Sequence, residues 1–474
     1  MISGRGGLLV VIIYLFQSLG WLTNFVGAPD FTSTWYSQRQ SGSLMMSALQ
    51  HLLRYVSQDL HTLSSLELLV PKLAEFLLLY PAFMAFLWIG LGSCYVFLKE
   101  WRLPWRGDFK PTVAVVVPAH NEELVIGRTL DSLLAQDYPG LEIHVISDGS
   151  TDRTLEITRG YAPCGVIVHD LQMNRGKNGV LQYALGLIKT DLFLVVDADT
   201  QAAPNAVSCL VQQFADGRVG AVTGGIRVQN ASTLLSALQS MEYAVIVSLA
   251  KRADQFWGGL YTVSGAAACF RTTALRAVGG WSSWTATEDI EVSWRMQKAG
   301  FHLAYEPRAI FHVQVPTSLR ALYRQRTRWA QGMTEVFRLH GDLWQSRNSA
   351  LLPIAAQGIA TAIWMILICL LLLSLVWEAL SGNLNFNSHF MSFSRGGLIA
   401  TLNWTCGLFL LQTVVAALIE GSRGKQGYWV FGLALLYPLY YWAVIFPCFV
   451  AGAIRGLVTQ RSEQWERTER TLAR

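Results

Sequence analysis

Residues 193–199 read Phe193-Leu194-Val195-Val196-Asp197-Ala198-Asp199. An apolar, partly β-branched run of this kind suits a strand covered on both faces. It stops at two carboxylates, and Asp is common where a strand gives way to a turn. Upstream, Val113–Val117 has the same form and leads into Pro118, Ala119, His120, Asn121 and Glu122. Ile143–Ile146 leads into Asp148-Gly149-Ser150, and Val166–His169 is a further run. Helical stretches separate them, one ending at Ala135 and one over Thr151–Arg159. Strands alternating with helices predict an α/β sheet, mostly parallel. In such sheets ligands bind beyond the carboxyl ends of the strands, which is where the acidic residues fall.

Outward from this block the composition changes. The chain has 474 residues, 52% apolar and 15% charged, with a net charge of +5. Ordinary soluble domains carry about 25% charged residues, so the shortfall points to lipid contact. The mild charge gives no argument for a nucleic-acid partner. Five stretches lack Asp, Glu, Lys and Arg: Gly6–Pro29, Phe76–Leu98, Asn348–Trp377, Gly396–Ile419 and Gln426–Ile454. Each reaches the ~20 residues a helix needs to cross ~30 Å of hydrocarbon. The first has no clear small-x-small cleavage site and reads as an uncleaved helix, not a signal peptide. The expected organisation is a transmembrane helix in residues 1–29, an extracytoplasmic segment over 30–75 and a transmembrane helix over 76–98. A globular block over 99–347, a transmembrane region over 348–454 and a basic tail over 455–474 complete it. Lys99, Arg102, Arg106 and Lys110 border the block on one side, and Arg320, Arg324, Arg326, Arg328, Arg338 and Arg347 on the other. Basic borders favour the cytosol. The cysteines show no C-x-x-C pair and no zinc spacing, and read as reduced thiols.

A nucleotide diphosphate needs a divalent cation, and hard cations such as Mg²⁺ or Mn²⁺ take carboxylate and phosphate oxygens. Asp197 and Asp199 offer such ligands, although the same tripeptide also makes solvated turns. Asn174–Gly179 holds glycines and Lys177 but lacks the phosphate-loop pattern G-x-x-x-x-G-K-[ST], which disfavours an ATPase. Downstream, Thr287-Glu288-Asp289 precedes the amphipathic stretch Ile290–Lys298, and Gln325-Arg326-Thr327-Arg328-Trp329 follows. A sugar hydroxyl is a poor nucleophile, and a carboxylate within reach takes its proton during attack. A leaving diphosphate gathers negative charge that a metal and Arg side chains stabilise. Singly, Glu288 and Asp289 could cap a helix, and the arginines could lie on anionic lipid. Their occurrence together, in this order, argues for chemistry.

The ordered set Asp-Gly-Ser, Asp-x-Asp, Thr-Glu-Asp and Gln-x-x-Arg-Trp resembles the motifs of the processive family 2 glycosyltransferases, from about Leu73 to the C-terminus. Tyr80-Pro-Ala-Phe-Met, Ala221-Val-Thr-Gly, Thr262-Val-Ser-Gly, Tyr305-Glu-Pro-Arg-Ala and Arg328-Trp-Ala-Gln-Gly look most like the bacterial branch that makes poly-β-1,6-N-acetylglucosamine. Hyaluronan, chitin and cellulose synthases share the four main motifs. The resemblance implies an α/β, GT-A-like (Rossmann-like) cytosolic catalytic domain inserted between transmembrane α-helices of a bacterial inner membrane. It implies inverting transfer from a UDP-sugar, UDP-N-acetylglucosamine by the branch resembled, to a growing polysaccharide, with Mg²⁺ or Mn²⁺. Pro118, Asn121, Glu122 and Asp148 are expected to line the uridine pocket, with Lys177 beside the nucleotide. Asp197 is expected at the nucleotide, Asp199 at the metal and Arg328 at the diphosphate. Asp289 is the expected general base, with Glu288 beside it. Ser264, Gly265, Gln325 and Trp329 are expected to border the acceptor sugar at a channel mouth. An indole face suits the C–H face of a pyranose. Trp465, Arg467 and Thr468 resemble a gating loop, and the family includes members with a small membrane partner subunit. Two rival readings stand beside this one. A transferase moving one sugar to a lipid carrier needs Asp-x-Asp but not the Gln-x-x-Arg-Trp element. A sugar transporter coupled to ions is disfavoured by the charge-free apolar stretches.

One apolar stretch conflicts with the tail. Counting each as a single crossing puts the tail outside, whereas Arg455, Arg461, Arg467, Arg470 and Arg474 favour the cytosol. Gln426–Ile454 contains Pro438 and Pro447 and is therefore expected to be broken or re-entrant, unless one of the last three stretches is an interfacial helix. In a Ser462→Cys variant, the new thiol is expected to resist a membrane-impermeant reagent in intact cells. Efficient labelling from outside, together with a fully active Trp465→Ala variant, would remove the gating loop.

Overall fold

Every residue of Val113–Ala119 is buried, but alternate residues enter different cores. Val113, Val115, Val117 and Ala119 join one cluster, while Ala114 and Val116 join another. This period of two is the mark of a strand packed on both faces. The computed structural model describes residues 66–103, 109–342, 351–381, 389–421 and 429–458. The expected helix over 1–29, most of the 30–75 segment, and Trp465, Arg467 and Thr468 lie outside the described residues.

The elements begin with helix α1 (Leu66–Leu98) and strand β1 (Val113–Ala119), followed by α2 (Ile126–Leu134), β2 (Glu142–Asp148), α3 (Thr154–Gly160), β3 (Val166–Leu171), α4 (Gly176–Leu187) and β4 (Leu192–Val196). Next come β5 (Gln201–Ala202), α5 (Ala206–Gln212), β6 (Val219–Val228), α6 (Leu234–Tyr243), a π-helical stretch over Ala244–Leu249 and α7 (Ala250–Trp257). After β7 (Ala267–Arg271), α8 (Thr272–Ala277), α9 (Glu288–Lys298), β8 (His302–Val313) and α10 (Leu319–Leu339), the chain enters its apolar end. That end comprises α11 (Leu351–Ser381), α12 (His389–Gly421), α13 (Trp429–Ala434), α14 (Tyr437–Tyr440), a π-helical stretch over Tyr441–Ile445 and α15 (Phe446–Val458).

The sheet order is β3-β2-β1-β4-β7-β6-β8-β5. The four strands legible in the sequence pair in parallel. The other half is mixed, because β7 runs against both β4 and β6 while β6 and β8 are parallel. The reversal has a consequence for the site. The beginning of β7 lies at the same sheet edge as the end of β4, and Asp197 N–H donates to Ala266 O at 3.3 Å. Gly149 shapes the neighbouring loop. Its φ is +61°, and a Cβ there would lie 2.9 Å from Asn174 N, so only glycine allows the approach.

Among the described residues, four helical segments are long and apolar enough to cross a membrane: Glu75–Arg102, Leu352–Leu373, Ile399–Glu420 and Tyr437–Val458. Helix α1 begins at Leu66, so the last part of the segment expected outside the span continues the helix. Trp364 Nε1–H donates to Leu77 O at 3.0 Å, and Tyr80 O–H to Gln357 O at 3.2 Å, joining α1 to α11. The last apolar stretch is broken at Leu435–Leu436, just before Pro438, and runs on as helix through Pro447. Helix α13 stops at Ala434, Pro438 enters the first turn of α14, and a π-helical stretch precedes Pro447. Helix α15 then packs closely on α10. A Cβ at Gly452 would run into Thr327 O, and one at Gly456 would meet Gln331 O at 2.7 Å. Paired glycines four residues apart let helix backbones approach this way.

A buried charge network joins the sheet domain to these helices. Arg252 on α7 is 1% exposed. Its Nε donates to Glu100 at 2.9 Å and its Nη1 to Glu420 at 3.1 Å, the latter at the end of α12. Arg227 on β6 also reaches Glu420, at 3.3 Å. Removing one member of a buried ion pair leaves charge uncompensated and costs ~3–5 kcal/mol. Arg252→Met is expected to lose stability on that scale, read as a lowered thermal midpoint of the purified protein in detergent. An unchanged midpoint would show that the network does not hold the domain to the helices.

Candidate active site

The site forms at the sheet edge where β1, β2 and β4 end and β7 begins. After β1 the chain turns through Asn121, whose φ of +56° is a left-handed value that Asn tolerates. Asn121 Oδ1 accepts from Thr151 N–H at 2.8 Å, tying the β1 and β2 loops together. Asp148 ends β2. Its Oδ1 accepts from Arg175 N–H at 2.7 Å, and its Oδ2 is buried with no partner among the described residues. Burial raises its pKa above the ordinary Asp value.

In front of these loops a lysine bridges two carboxylates, and two more, Asp199 and Asp289, line the same cavity. Lys177, in the first turn of α4, places Nζ 2.7 Å from Asp197 Oδ1 and 2.9 Å from Glu288 Oε1. It also donates to Gly265 O at 3.3 Å. Burial works against the ammonium charge, but Asp197 and Glu288 outweigh it and hold its pKa above the ordinary Lys value. Burial likewise opposes the charge on Glu288, yet Lys177 pulls its pKa below the usual Glu value. Burial and then Glu288 push the next residue, Asp289, up to about 6. Its Oδ2 accepts from Gly265 N–H at 2.9 Å and its Oδ1 from Ile290 N–H at 2.9 Å. Glu288 and Asp289 open α9, where the helix dipole favours negative charge.

One continuous cavity of about 1300 Å³ covers this edge and extends to the apolar helices. It is lined by Pro118, Glu122, Lys177, Asp197, Asp199, Ser264, Gly265, Glu288, Asp289, Gln325, Arg328 and Trp329. Of the residues expected at the site and described here, Asn121 and Asp148 do not line it; they brace the loops behind it. Met365, Cys369, Tyr441 and Phe449 line its other end. Arg326, counted from sequence among the basic border residues, faces inward. It is fully buried, its fork meets Glu242 at 2.9 and 2.8 Å, and its guanidinium lies 4.2 Å from the centre of the Trp329 ring. It therefore orients the indole instead of meeting lipid headgroups.

Sequence reasoning missed a second charged pair in the cavity wall, Lys251 and Asp254 on α7. Lys251 Nζ donates to Ser264 Oγ at 2.8 Å and Thr262 O at 2.9 Å, and burial lowers its pKa to about 8. Burial pushes Asp254 up to about 6. Lys and Asp three residues apart on a helix normally read as a solvated pair, so the burial of Lys251 and the half-burial of Asp254 had no local signal.

A mixed sheet carrying an acidic edge, over a cavity that reaches apolar helices, fits the GT-A-like fold that the sequence motifs imply. The model of the family described as "Glycosyltransferase like family 2" matches residues 111–332. A poly-β-1,6-N-acetyl-D-glucosamine synthase of Staphylococcus epidermidis is 31% identical over 384 residues, covering 78% of this chain and 91% of that protein. One from Staphylococcus aureus is 33% identical over 311 residues, covering 63% and 74%. A mannosyltransferase from Pyrobaculum calidifontis, solved with GDP-mannose and Mn²⁺, matches with a TM-score of 0.56 at 20% identity. It covers 82% of this chain and 99% of that one, and the likeness is one of fold. The chain belongs to the family 2 glycosyltransferases.

The Gly265–Asp289 contact leaves little room for a side chain. A Cβ at Gly265 would lie 3.1 Å from Asp289 Oδ2. Gly265→Ala is expected to lower the rate of sugar transfer on the order of tenfold by displacing that carboxylate, with UDP affinity kept. Wild-type turnover would show that the contact does not matter.

Proposed function

We propose that this chain is a processive membrane synthase. It transfers N-acetylglucosamine from UDP-N-acetylglucosamine to the end of a β-1,6-linked polysaccharide and passes the product across the bilayer. The observation that carries this reading is the continuity of the cavity, from Lys177, Asp197 and Asp289 to Met365, Tyr441 and Phe449 on the apolar helices. The staphylococcal relatives support the sugar and the linkage. Lys99, Arg102, Lys110, Arg320 and Arg324 border the domain near the helices and support a cytosolic face at the inner membrane.

In this reading the acceptor hydroxyl gives its proton to Asp289 as its oxygen attacks the anomeric carbon. The bond from that carbon to UDP breaks, its electron pair leaves with UDP, and configuration inverts. Asp289 suits the base role better than Glu288, because its pKa near 6 lies closer to the working pH. Lys177 and Arg328 offer positive charge near the diphosphate, and Trp329 offers a face to the acceptor sugar.

The donor set fits a divalent cation. Asp199 lines the cavity beside Asp197, and both present the oxygen ligands that Mg²⁺ and Mn²⁺ take. Among the described residues no group of three His, Cys, Asp or Glu side chains converges, so diphosphate and water oxygens would complete its shell. Bound at Asp199, the ion supplies positive charge for the departing UDP.

Asp289→Asn is expected to lose polymer synthesis by ~10²–10⁴-fold with UDP binding kept. Below pH 6 the base is protonated, so kcat/KM is expected to fall about tenfold per pH unit. A profile flat to pH 5, or near-wild-type activity in Asp289→Asn, would remove Asp289 from the mechanism. Asp199→Ala is expected to abolish metal-dependent turnover, and polymerisation by chelated wild-type enzyme would sink the metal assignment. Product length decides among the rivals. Long polymer supports the synthase, one added sugar a lipid-carrier transferase, and no UDP release a transporter.

A further inference from the structure

The backbone of Ala286, just before Thr287-Glu288-Asp289, is held from both sides by one face of α10. Its N–H donates to Glu335 Oε2 at 2.8 Å. Its carbonyl accepts from Arg328 Nη1 at 3.2 Å. The other Glu335 oxygen accepts from Gln331 Nε2 at 2.8 Å. Glu335 is 8% exposed, so this is no solvated surface contact. Gly332 lies against the same loop, where a Cβ would fall 2.5 Å from Thr287 Oγ1 and 2.8 Å from Thr287 N. Arg328, Gln331, Gly332 and Glu335 follow the i, i+3, i+4, i+7 spacing of a single helix stripe.

Helix α10 is itself anchored. Arg326 forks onto Glu242 of α6, Arg338 Nη1 donates to Gly456 O at 2.7 Å, and α15 packs against its backbone. A loop gripped by such a helix cannot drift. On its far side, Asp289 is already committed to Gly265 N–H.

We propose that Glu335 is a positioning residue for sugar transfer, setting the place of Asp289 through the Ala286 peptide. The inference rests on Asp289 being the base. Arg328 grips the same residue at its carbonyl, in the next peptide group, so α10 gauges the loop at two points. Misplacing a reacting group by about 1 Å costs on the order of 10²-fold in rate, and this is the scale expected here.

The test uses the full chain in lipid nanodiscs, comparing Glu335→Ala, Glu335→Gln, Gly332→Ala and Asp289→Asn. Sugar incorporation, UDP binding by calorimetry and the thermal midpoint are read for each. Glu335→Ala is expected to lower kcat ~30- to 100-fold, with the donor KM and UDP affinity within about twofold. Glu335→Gln keeps an oxygen for Ala286 N–H and is expected to recover most of that loss. Gly332→Ala pushes on Thr287 and is expected to reproduce the kcat-only defect, so the reading survives even if Glu335→Ala folds poorly. Wild-type kcat in Glu335→Ala, equal losses in its Ala and Gln variants, or losses carried by KM in both Glu335→Ala and Gly332→Ala would overturn the proposal. An inactive Asp289→Asn beside an intact Glu335→Ala sinks the positioning role alone. An active Asp289→Asn beside a slow Glu335→Ala sinks the base assignment instead.

Discussion

Lys177 Nζ lies within ion-pair distance of both Asp197 and Glu288, and this bridge joins the end of β4 to the start of α9. Asp197, Asp199, Glu288 and Asp289 share one cavity wall. Carboxylates crowded in a site of restricted solvent cannot all ionise freely without a counter-charge. Lys177 supplies it unequally. Glu288 is held ionised, while Asp289, further from the ammonium and next to Glu288, is pushed toward neutral pH. One cation thus separates two adjacent carboxylates into different chemical characters, the pattern expected where one of them handles a proton.

The same logic of paired burial mates the domain to the apolar helices. Arg252 gathers Glu100 and Glu420, and Arg326 gathers Glu242, which Tyr440 O–H also meets at 3.0 Å. Such pairs add little net stability over apolar packing, yet breaking one is costly. Their effect is to dictate which faces meet. The result is a cavity floor built by the sheet and a far wall built by α11, the second π-helical stretch and α15.

Helix α10 shows how one element serves several neighbours. At 3.6 residues per turn its faces separate by function. Arg326 turns inward to Glu242, Arg328 and Trp329 line the cavity, Gly332 and Glu335 meet the Thr287 loop, and Arg338 reaches α15. The motif Gln325-Arg326-Thr327-Arg328-Trp329 is the visible part of a longer stripe that continues through Glu335.

Much was legible locally. Strands β1 to β4 announced themselves as apolar runs ending in acidic or polar residues, because burial on both faces excludes charge. The described parts of four of the five apolar stretches are helical, three as long helices and the last in pieces. That last stretch breaks at Leu435–Leu436 just before Pro438, as a proline in a first helical turn allows, whereas Pro447 lies within a helical run that continues past it. Twelve site residues named from sequence line one cavity. Asn121 and Asp148 do not, because the loops fold them behind its surface. Chain order and periodicity alone determined the strands, the helices and which residue types are available for chemistry. They did not determine that β7 runs backwards and brings Gly265 to Asp289, that Arg326 turns inward, or that Lys251 and Glu335 are buried. Periodicity reports how a segment is covered, not by what. Which distant groups meet is decided by strand direction and side-chain packing, and those exist only once the whole chain has folded.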